Sequence, residues 1–224
     1  MLKKITMKYF YFLLVGLVVL AGLYTLTGIV VVKWSQYEAT HPQGKFQIIE
    51  GENSKITIVD FTSYQCGYCK SMHKTINEAL ELHKDVTYIP RPILLKQPSK
   101  EELEEGQDEI PQQQPAPLEK LVIAAGLQGK FQEMHALFME YPQRLIPEEL
   151  IKESAELYGV DYDLMVKDSE GEKVQKILDN NIKDMLNYGV KTIPSYIVGN
   201  QIYAVGKDLP DLQKFLAVID QEKN

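Results

Sequence analysis

The sequence predicts an α/β domain that follows a single transmembrane helix. An uncharged apolar run occupies residues 9–32, and residues 118–188 show the spacing of apolar side chains that is typical of helices. Short apolar segments of strand type lie near residues 56–61, before this helical block, and near residues 195–205, after it. The expected order of elements is therefore strand, helix, strand, helical block, hairpin and helix.

The N-terminal apolar run has the length and the flanks of a membrane anchor. Residues 9–32 contain no charged side chain, and about 20 such residues suffice to cross a bilayer. A cleavable signal peptide is the alternative, but its apolar region is usually only about 7–15 residues long. Lys3, Lys4 and Lys8 precede the run without an acid, which favours a cytoplasmic N-terminus. We expect a single-pass protein of the cytoplasmic (inner) membrane with the rest of the chain on the periplasmic or extracytoplasmic side.

The charge of the remaining chain argues against nucleic acid as a partner. The formal net charge is -7, from 24 basic and 31 acidic residues. Without the three N-terminal lysines, 21 basic residues stand against 31 acids, which gives -10. A nucleic-acid-binding protein needs a basic face, and this composition does not suggest one. Hydrophobic residues make up 45% of the chain, which is enough to build a core.

Periodicity, Gly and Pro predict the positions of the individual elements. The segments are strands at 46–50, 56–61 and 86–93, helices at 69–82 and 210–220, and a hairpin turn at Gly199 and Asn200. Residues 96–117 are rich in Glu, Gln and Pro and include the acidic loop 101–109. This composition is typical of a solvated surface loop, with a lid or partner-binding segment as the alternative.

The two cysteines of the chain, Cys66 and Cys69, have the spacing C-x-x-C. Cys66 falls at the predicted start of a helix, where backbone N–H groups and the helix dipole stabilise a thiolate. Cys69 follows one turn later, close enough to form a disulfide with Cys66 and to expel a bound partner. We therefore expect Cys66 to be the nucleophile and Cys69 the resolving thiol. A structural disulfide is the alternative, although so short a loop constrains little of the unfolded chain.

Two further positions could assist this chemistry. Asp60 ends an apolar strand six residues before Cys66. Burial there would raise its pKa and let it exchange a proton with Cys69, whereas a carboxylate turned to solvent is the alternative. Ile193 and Pro194 follow a turn and precede a strand. A cis bond between them would expose backbone groups to an incoming peptide.

Three segments resemble a known family. Residues 58–69 (IVDFTSYQCGYC) and 189–195 (GVKTIPS) resemble the active-site strand and helix and the cis-proline loop of DsbA-type proteins of the thioredoxin superfamily. Residues 131–138 (FQEMHALF) are similar to a helix in that family's helical insertion. The resemblance implies a thioredoxin-like fold with an inserted helical domain. It also implies an enzyme, a protein thiol-disulfide oxidoreductase that forms, and could isomerise, disulfides in envelope or secreted proteins.

The resemblance also assigns roles to residues. By this likeness Cys66 is the exposed nucleophile, Cys69 its buried partner, Asp60 the buried acid and Pro194 the cis proline. The residues expected to bind the substrate peptide are Gly67, Tyr68, Thr192, Ile193 and Pro194. The expected partners are cysteine-containing substrates, a membrane redox partner, and the membrane itself through residues 9–32. No metal or other cofactor is expected.

Four parts of the chain follow from these expectations. Residues 1–33 form a cytoplasmic tail and the anchor, and residues 34–44 form a juxtamembrane linker. The thioredoxin-like domain comprises residues 45–92 and 190–224. Residues 93–189 contain the acidic loop and the helical insertion.

The residues between the cysteines leave the redox direction open. Gly67 and Tyr68 replace the Pro-His pair of strongly oxidising members, so the pair is expected to be less oxidising. Cys-Gly-Tyr-Cys instead resembles the site of DsbC-type isomerases, whose N-terminal dimerisation domain has no space within residues 34–54. A reductase or isomerase kept reduced by a membrane partner is therefore an alternative function.

A membrane-tethered copper-binding thioredoxin-like protein is a second alternative. Its soft ligands would come from Cys66, Cys69 and His73. The candidates for a fourth ligand are His41, His83 and His135. His73 follows the cysteines on the predicted helix, where a surface or half-buried position is more usual than a metal-bound one.

Overall fold

A computed structural model describes residues 15–30, 37, 40–95, 114–143, 145–199, 201–204 and 208–223 of the 224-residue chain. Residues 15–30 form a helix with mostly exposed side chains. None of the helices in the described ranges is both long enough and apolar enough to cross a bilayer. Residues 9–14, 31 and 32 of the expected anchor lie outside these ranges, as does the acidic loop 101–109.

The expected order of elements is confirmed. The elements are β1 (Ile56–Thr62), α1 (Gly67–Leu82), β2 (Val86–Pro92), α2 (Leu118–Leu127), α3 (Phe131–Glu140), α4 (Glu148–Tyr158), α5 (Tyr162–Ser169), α6 (Glu172–Asn187), β3 (Ser195–Val198), β4 (Gln201–Ala204) and α7 (Leu212–Lys223). Helix α1 begins two residues earlier than expected because Cys66 caps it. Helix α7 begins after Asp211, whose carboxylate accepts a hydrogen bond from the Lys214 N–H. Asn200 and residue 205 of the expected hairpin lie outside the described residues.

The four strands form one mixed sheet in the order β2-β1-β3-β4. Strands β1 and β2 are parallel, and α1 provides the crossover that a parallel pair needs. Strands β3 and β4 add in antiparallel fashion beside β1. Side chains alternate along β1. Ile58 therefore packs with α1 and α7 on one face, and Phe61 packs with Met185 of α6 on the other.

Helices α2 to α6 form a helical insertion between β2 and β3. Helix α2 is apolar and lies at its centre, in contact with α3, α5 and α6. The ring of Phe46 packs against α2 at Gly126, where an added Cβ would lie 2.3 Å from that ring. Only glycine therefore allows this close approach.

The strand expected at residues 46–50 is wrong. Lys45–Gln47 form a 3-10 turn, and the segment joins the sheet only through a single bridge between Ile49 and Tyr88. Strand β2 contains Pro90 and Pro92, which lack backbone N–H groups, so its outer edge cannot support a full ladder. The packing of Phe46 against α2 turns the chain away from the sheet.

A buried ion pair joins the insertion to the sheet. Arg91 of β2 is fully buried and donates to the carboxylate of Asp184 on α6. One turn earlier on α6, the Asn181 amide donates to the Pro92 carbonyl at 3.0 Å. These contacts hold α6 against the end of β2 at which the chain leaves the sheet.

Replacing Asp184 with Asn should lower the free energy of unfolding by about 3 kcal/mol, because it removes a carboxylate charge that accompanies the buried guanidinium of Arg91. Urea denaturation followed by circular dichroism measures this change. Asp179→Asn, on the exposed side of the same helix, is the matched control and should change stability by less than about 0.5 kcal/mol. Equal effects of the two variants would contradict a structural role for the pair.

Candidate active site

The two cysteines lie at the start of α1, directly beyond the end of β1. Cys66 is the N-cap residue of α1 and is half-buried, whereas Cys69 is buried within the first turn. The Cys69 backbone N–H donates to the Cys66 sulfur at 3.2 Å. Both side chains are thiols in this structure. The less buried of the two cysteines is therefore the one whose sulfur receives a helix-start hydrogen bond.

Cys69 is held in its protonated form by its surroundings. Its hydrogen bond with Cys66, its burial and the charge of Cys66 all raise its pKa far above the ordinary value. A hydrogen bond with the backbone of Ser63 acts in the opposite direction. The two thiols are thus unequal, since one is accessible and the other is buried behind it.

Asp60 is buried beneath the cysteines. It lies on the face of β1 that α1 covers, and 1% of it is exposed. The Tyr88 hydroxyl donates to Oδ2 at 2.9 Å, and Oδ1 has no hydrogen-bond partner among the described residues. Burial raises the pKa of Asp60 to about 7, and the charge of Cys66 adds to this, against the Tyr88 hydrogen bond. The solvent-facing alternative for Asp60 is excluded.

The Ile193–Pro194 bond is cis, as the resemblance implied. Ser195 pairs with Phe61 across the sheet, so Pro194 lies opposite Thr62, at the end of β1 that leads to the cysteines. The Ser195 hydroxyl donates to the Thr192 carbonyl at 2.6 Å and closes the preceding turn.

The residues expected to bind substrate differ in exposure. Gly67, Tyr68 and Thr192 are exposed, Ile193 is half-buried and Pro194 is buried. Their contact with a substrate peptide stays a prediction.

Glu119 contacts the segment just before the cysteines, and its role was not predicted from the sequence. It stands in the first turn of α2 and is 1% exposed. Its Oε1 accepts hydrogen bonds from the Ser63 hydroxyl at 2.7 Å and from the Tyr64 N–H at 3.2 Å. Burial raises its pKa. The one signal in the sequence is an acid in the first turn of a largely apolar helix, and that signal does not reveal its partner.

The histidines near the site are buried and neutral. His73 is 4% exposed, so the expectation of a surface or half-buried position is wrong. Burial lowers its pKa to about 4, and burial also holds the pKa of His135 well below its ordinary value. The two rings lie 5.0 Å apart, and His135 Nδ1 is 2.8 Å from the Tyr64 hydroxyl. Neither ring therefore supplies an imidazolium to the cysteines.

The ligand set of the copper alternative is not brought together. His83 lies at the far end of α1, where it contacts Lys223, and His41 contacts Tyr37. In the described part of the chain, no group of three or more His, Cys, Asp or Glu side chains is placed to hold a metal ion.

Comparison with known proteins agrees with this geometry. A family model described as a DSBA-like thioredoxin domain matches residues 57–217. The thiol-disulfide exchange protein alpha-DsbA2 from Wolbachia pipientis is 20% identical, with a TM-score of 0.62 over 87% of this chain and 94% of that one. Oxidised BdbD from Bacillus subtilis is 15% identical, with a TM-score of 0.58 over 81% and 95%. A periplasmic thioredoxin-like protein from Salmonella enterica serovar Typhimurium is 20% identical, with a TM-score of 0.59 over 79% and 88%. No curated protein matches the chain.

Burial of Asp60 should make stability depend on pH. Its folded-state pKa of about 7 exceeds the ordinary value of 3.8, so the folded state binds more protons between these values. Stability therefore falls as the pH rises from about 4 to about 7. Asp60→Asn removes this dependence. Between pH 4 and pH 8 its free energy of unfolding should therefore rise, relative to that of wild type, by up to about 4 kcal/mol. Urea denaturation at both pH values, with the cysteines in one redox state, measures the difference.

Tyr88→Phe is the companion variant. In wild type the Tyr88 hydrogen bond lowers the pKa of Asp60. Its loss should raise that pKa, so the decrease in stability should continue to a higher pH in this variant. If the free energy of unfolding changed with pH in the same way in wild type and in Asp60→Asn, Asp60 would not titrate between pH 4 and pH 8.

Proposed function

Because the chain belongs to the family of DSBA-like thioredoxin domains and is a thiol-disulfide oxidoreductase, we propose that it forms disulfide bonds in envelope or secreted proteins. The observation that carries the proposal is the placement of Cys66, whose accessible sulfur receives the Cys69 N–H at the start of α1. A stabilised thiolate at this position favours the reduced form of the pair, which makes its disulfide more oxidising.

The reaction is a two-step thiol-disulfide exchange. A substrate thiolate attacks the Cys66 sulfur of the oxidised enzyme, and the bond between Cys66 and Cys69 breaks. Cys69 leaves as a thiolate and takes a proton, while the substrate is held in a mixed disulfide. A second substrate thiolate then attacks the substrate sulfur and releases the Cys66 thiolate. Two substrate thiols are oxidised to one disulfide, and the enzyme disulfide is reduced to two thiols.

We propose that Asp60 exchanges the proton with Cys69. Its pKa of about 7 lets it hold or release a proton near neutral pH, and its charge acts on the Cys69 thiol. The substrate peptide would contact Thr192, Ile193 and Pro194, whose position opposite the end of β1 supports this role.

The same geometry sets the limits of the oxidising power. Gly67 and Tyr68 offer no cation, and His73 is buried and neutral. A disulfide isomerase or reductase held reduced by a membrane partner is therefore the second candidate function. The copper-binding candidate has no support from the placement of its ligands.

We further propose that residues 9–32 anchor the protein in the cytoplasmic membrane, with the redox domain on the extracytoplasmic side near a membrane redox partner. The run has no charged residue, and its described part is a helix. Val18 and Leu20 are 67% and 65% exposed. Contiguous exposed apolar side chains are unfavourable in water and suit a lipid environment.

The reduction potential decides between the two redox directions. For the full chain in detergent, equilibrated with glutathione, we expect a value between about -180 and -120 mV, the range between protein disulfide isomerase and DsbA. A value near -270 mV, that of thioredoxin, would identify a reductase instead. Cys66→Ser should abolish oxidation of a reduced substrate protein, and Cys69→Ser should accumulate mixed disulfides. Ser71→Ala, on the exposed side of α1, is the control that should keep activity.

The anchor can be tested by membrane fractionation. Leu20→Arg places a charge near the centre of the run and opposes insertion by about 2.5–3.5 kcal/mol. We expect wild type and the control Leu20→Ile to resist alkaline extraction, and Leu20→Arg to be partly released. The intact mass of the membrane-bound protein should include residue 1. A mass that lacks residues 1–33 would show that the segment is a cleaved signal peptide.

A further inference from the structure

Glu119 links the helical insertion to the segment that carries the cysteines. Its Oε1 accepts hydrogen bonds from the Ser63 hydroxyl and the Tyr64 N–H, and these two residues join β1 to the start of α1. The chain positions of Ser63 and Glu119 are 56 residues apart. The contact therefore connects two separate parts of the fold at the edge of the redox site.

Ser63 in turn contacts the nucleophile through its backbone. Its carbonyl accepts a hydrogen bond from the Cys66 N–H at 3.2 Å. The Cys66 sulfur itself accepts a hydrogen bond from the Cys69 N–H at 3.2 Å. A displacement of Ser63 would therefore shift the Cys66 backbone, and with it the sulfur that Cys69 attacks.

We propose that Glu119 is a positioning residue that holds Ser63, and with it the Cys66 backbone, in place and thereby sets the rate at which Cys69 resolves a mixed disulfide at Cys66. The proposal rests on the thiol-disulfide exchange proposed above. It adds the insertion as the element that controls the attack of Cys69 on a mixed disulfide at Cys66, which is the reverse of the first step above and the step that re-forms the enzyme disulfide.

The cost of burying Glu119 supports a role beyond stability. One carboxyl oxygen makes both hydrogen bonds, and the other, Oε2, is buried without a hydrogen-bond partner among the described residues. An unsatisfied buried polar group destabilises the folded state. An apolar side chain at this position in the centre of the insertion would avoid that cost. Helix α2 is packed on all sides, so it holds the carboxyl rigidly toward Ser63.

Oxidised glutathione separates the two steps of the reaction. The Cys66 thiolate of the reduced protein attacks the glutathione disulfide, forms a mixed disulfide and releases one glutathione thiolate. Cys69 then loses its proton and attacks the Cys66 sulfur, which forms the enzyme disulfide and releases the second glutathione. Acid quenching followed by mass spectrometry distinguishes reduced, glutathionylated and oxidised full-length protein, so both rates can be measured.

We expect Glu119→Ala to slow the second step at least tenfold while changing the first step less than threefold. Glu119→Gln should stay within threefold of wild type in both steps, because its amide oxygen can accept the same two hydrogen bonds. Ser63→Ala loses the hydroxyl donor but keeps the Tyr64 N–H contact, and should slow the second step by an intermediate factor. This variant also tests the proposal if Glu119→Ala fails to fold.

Val174→Ala is the matched control for stability. Val174 is buried in the same helical core, and its truncation should lower stability without changing the second step. An unchanged second step in Glu119→Ala would reduce Glu119 to a structural residue and overturn the proposal. If Glu119→Gln and Glu119→Ala slowed the second step equally, the effect would belong to the carboxyl charge or proton, and the proposal would be overturned as well. A wild-type protein that becomes neither glutathionylated nor oxidised would refute the proposed function, and this inference with it.

Discussion

The hydrogen bond from the Cys69 backbone N–H to the Cys66 sulfur is the interaction on which the redox site depends. It forms because Cys66 occupies the N-cap of α1, where the first backbone N–H groups have no partner within the helix. The donor acts on the sulfur of the half-buried cysteine, while the second cysteine is buried. The parallel pairing of β1 and β2 requires the α1 crossover and so places this helix start at the end of β1.

Two carboxyl groups are buried behind this helix start, one from each part of the fold. Asp60 lies in the sheet and contacts Tyr88, whereas Glu119 lies in the insertion and contacts Ser63. Each has one oxygen without a hydrogen-bond partner among the described residues. Apolar side chains of similar volume would be the more stable solution. Stability therefore does not explain the burial of the two acids, and carboxyl groups whose pKa is raised by burial beside a reactive group are common at functional sites.

Tyr64 shows how closely the two parts of the fold are joined. It belongs to the segment between β1 and Cys66, yet its ring is fully buried in the core of the helical insertion. Its hydroxyl contacts His135, and its ring packs edge-to-face against Phe138, both on α3. The residues just before the nucleophile are therefore fixed by the insertion as much as by the sheet. The insertion is thus positioned to influence the chemistry without contributing a cysteine.

The sequence by itself determined the redox pair and the order of elements, because both depend on local features. The spacing of Cys66 and Cys69 places them one turn apart on a helix, and apolar periodicity distinguishes strands from helices over short ranges. The resemblance added the cis bond before Pro194. Only the tertiary structure decided that Glu119 meets Ser63, because that contact joins positions 56 residues apart. An acid in the first turn of a helix is usually solvated, and no local pattern records that packing has buried this one against the active-site segment.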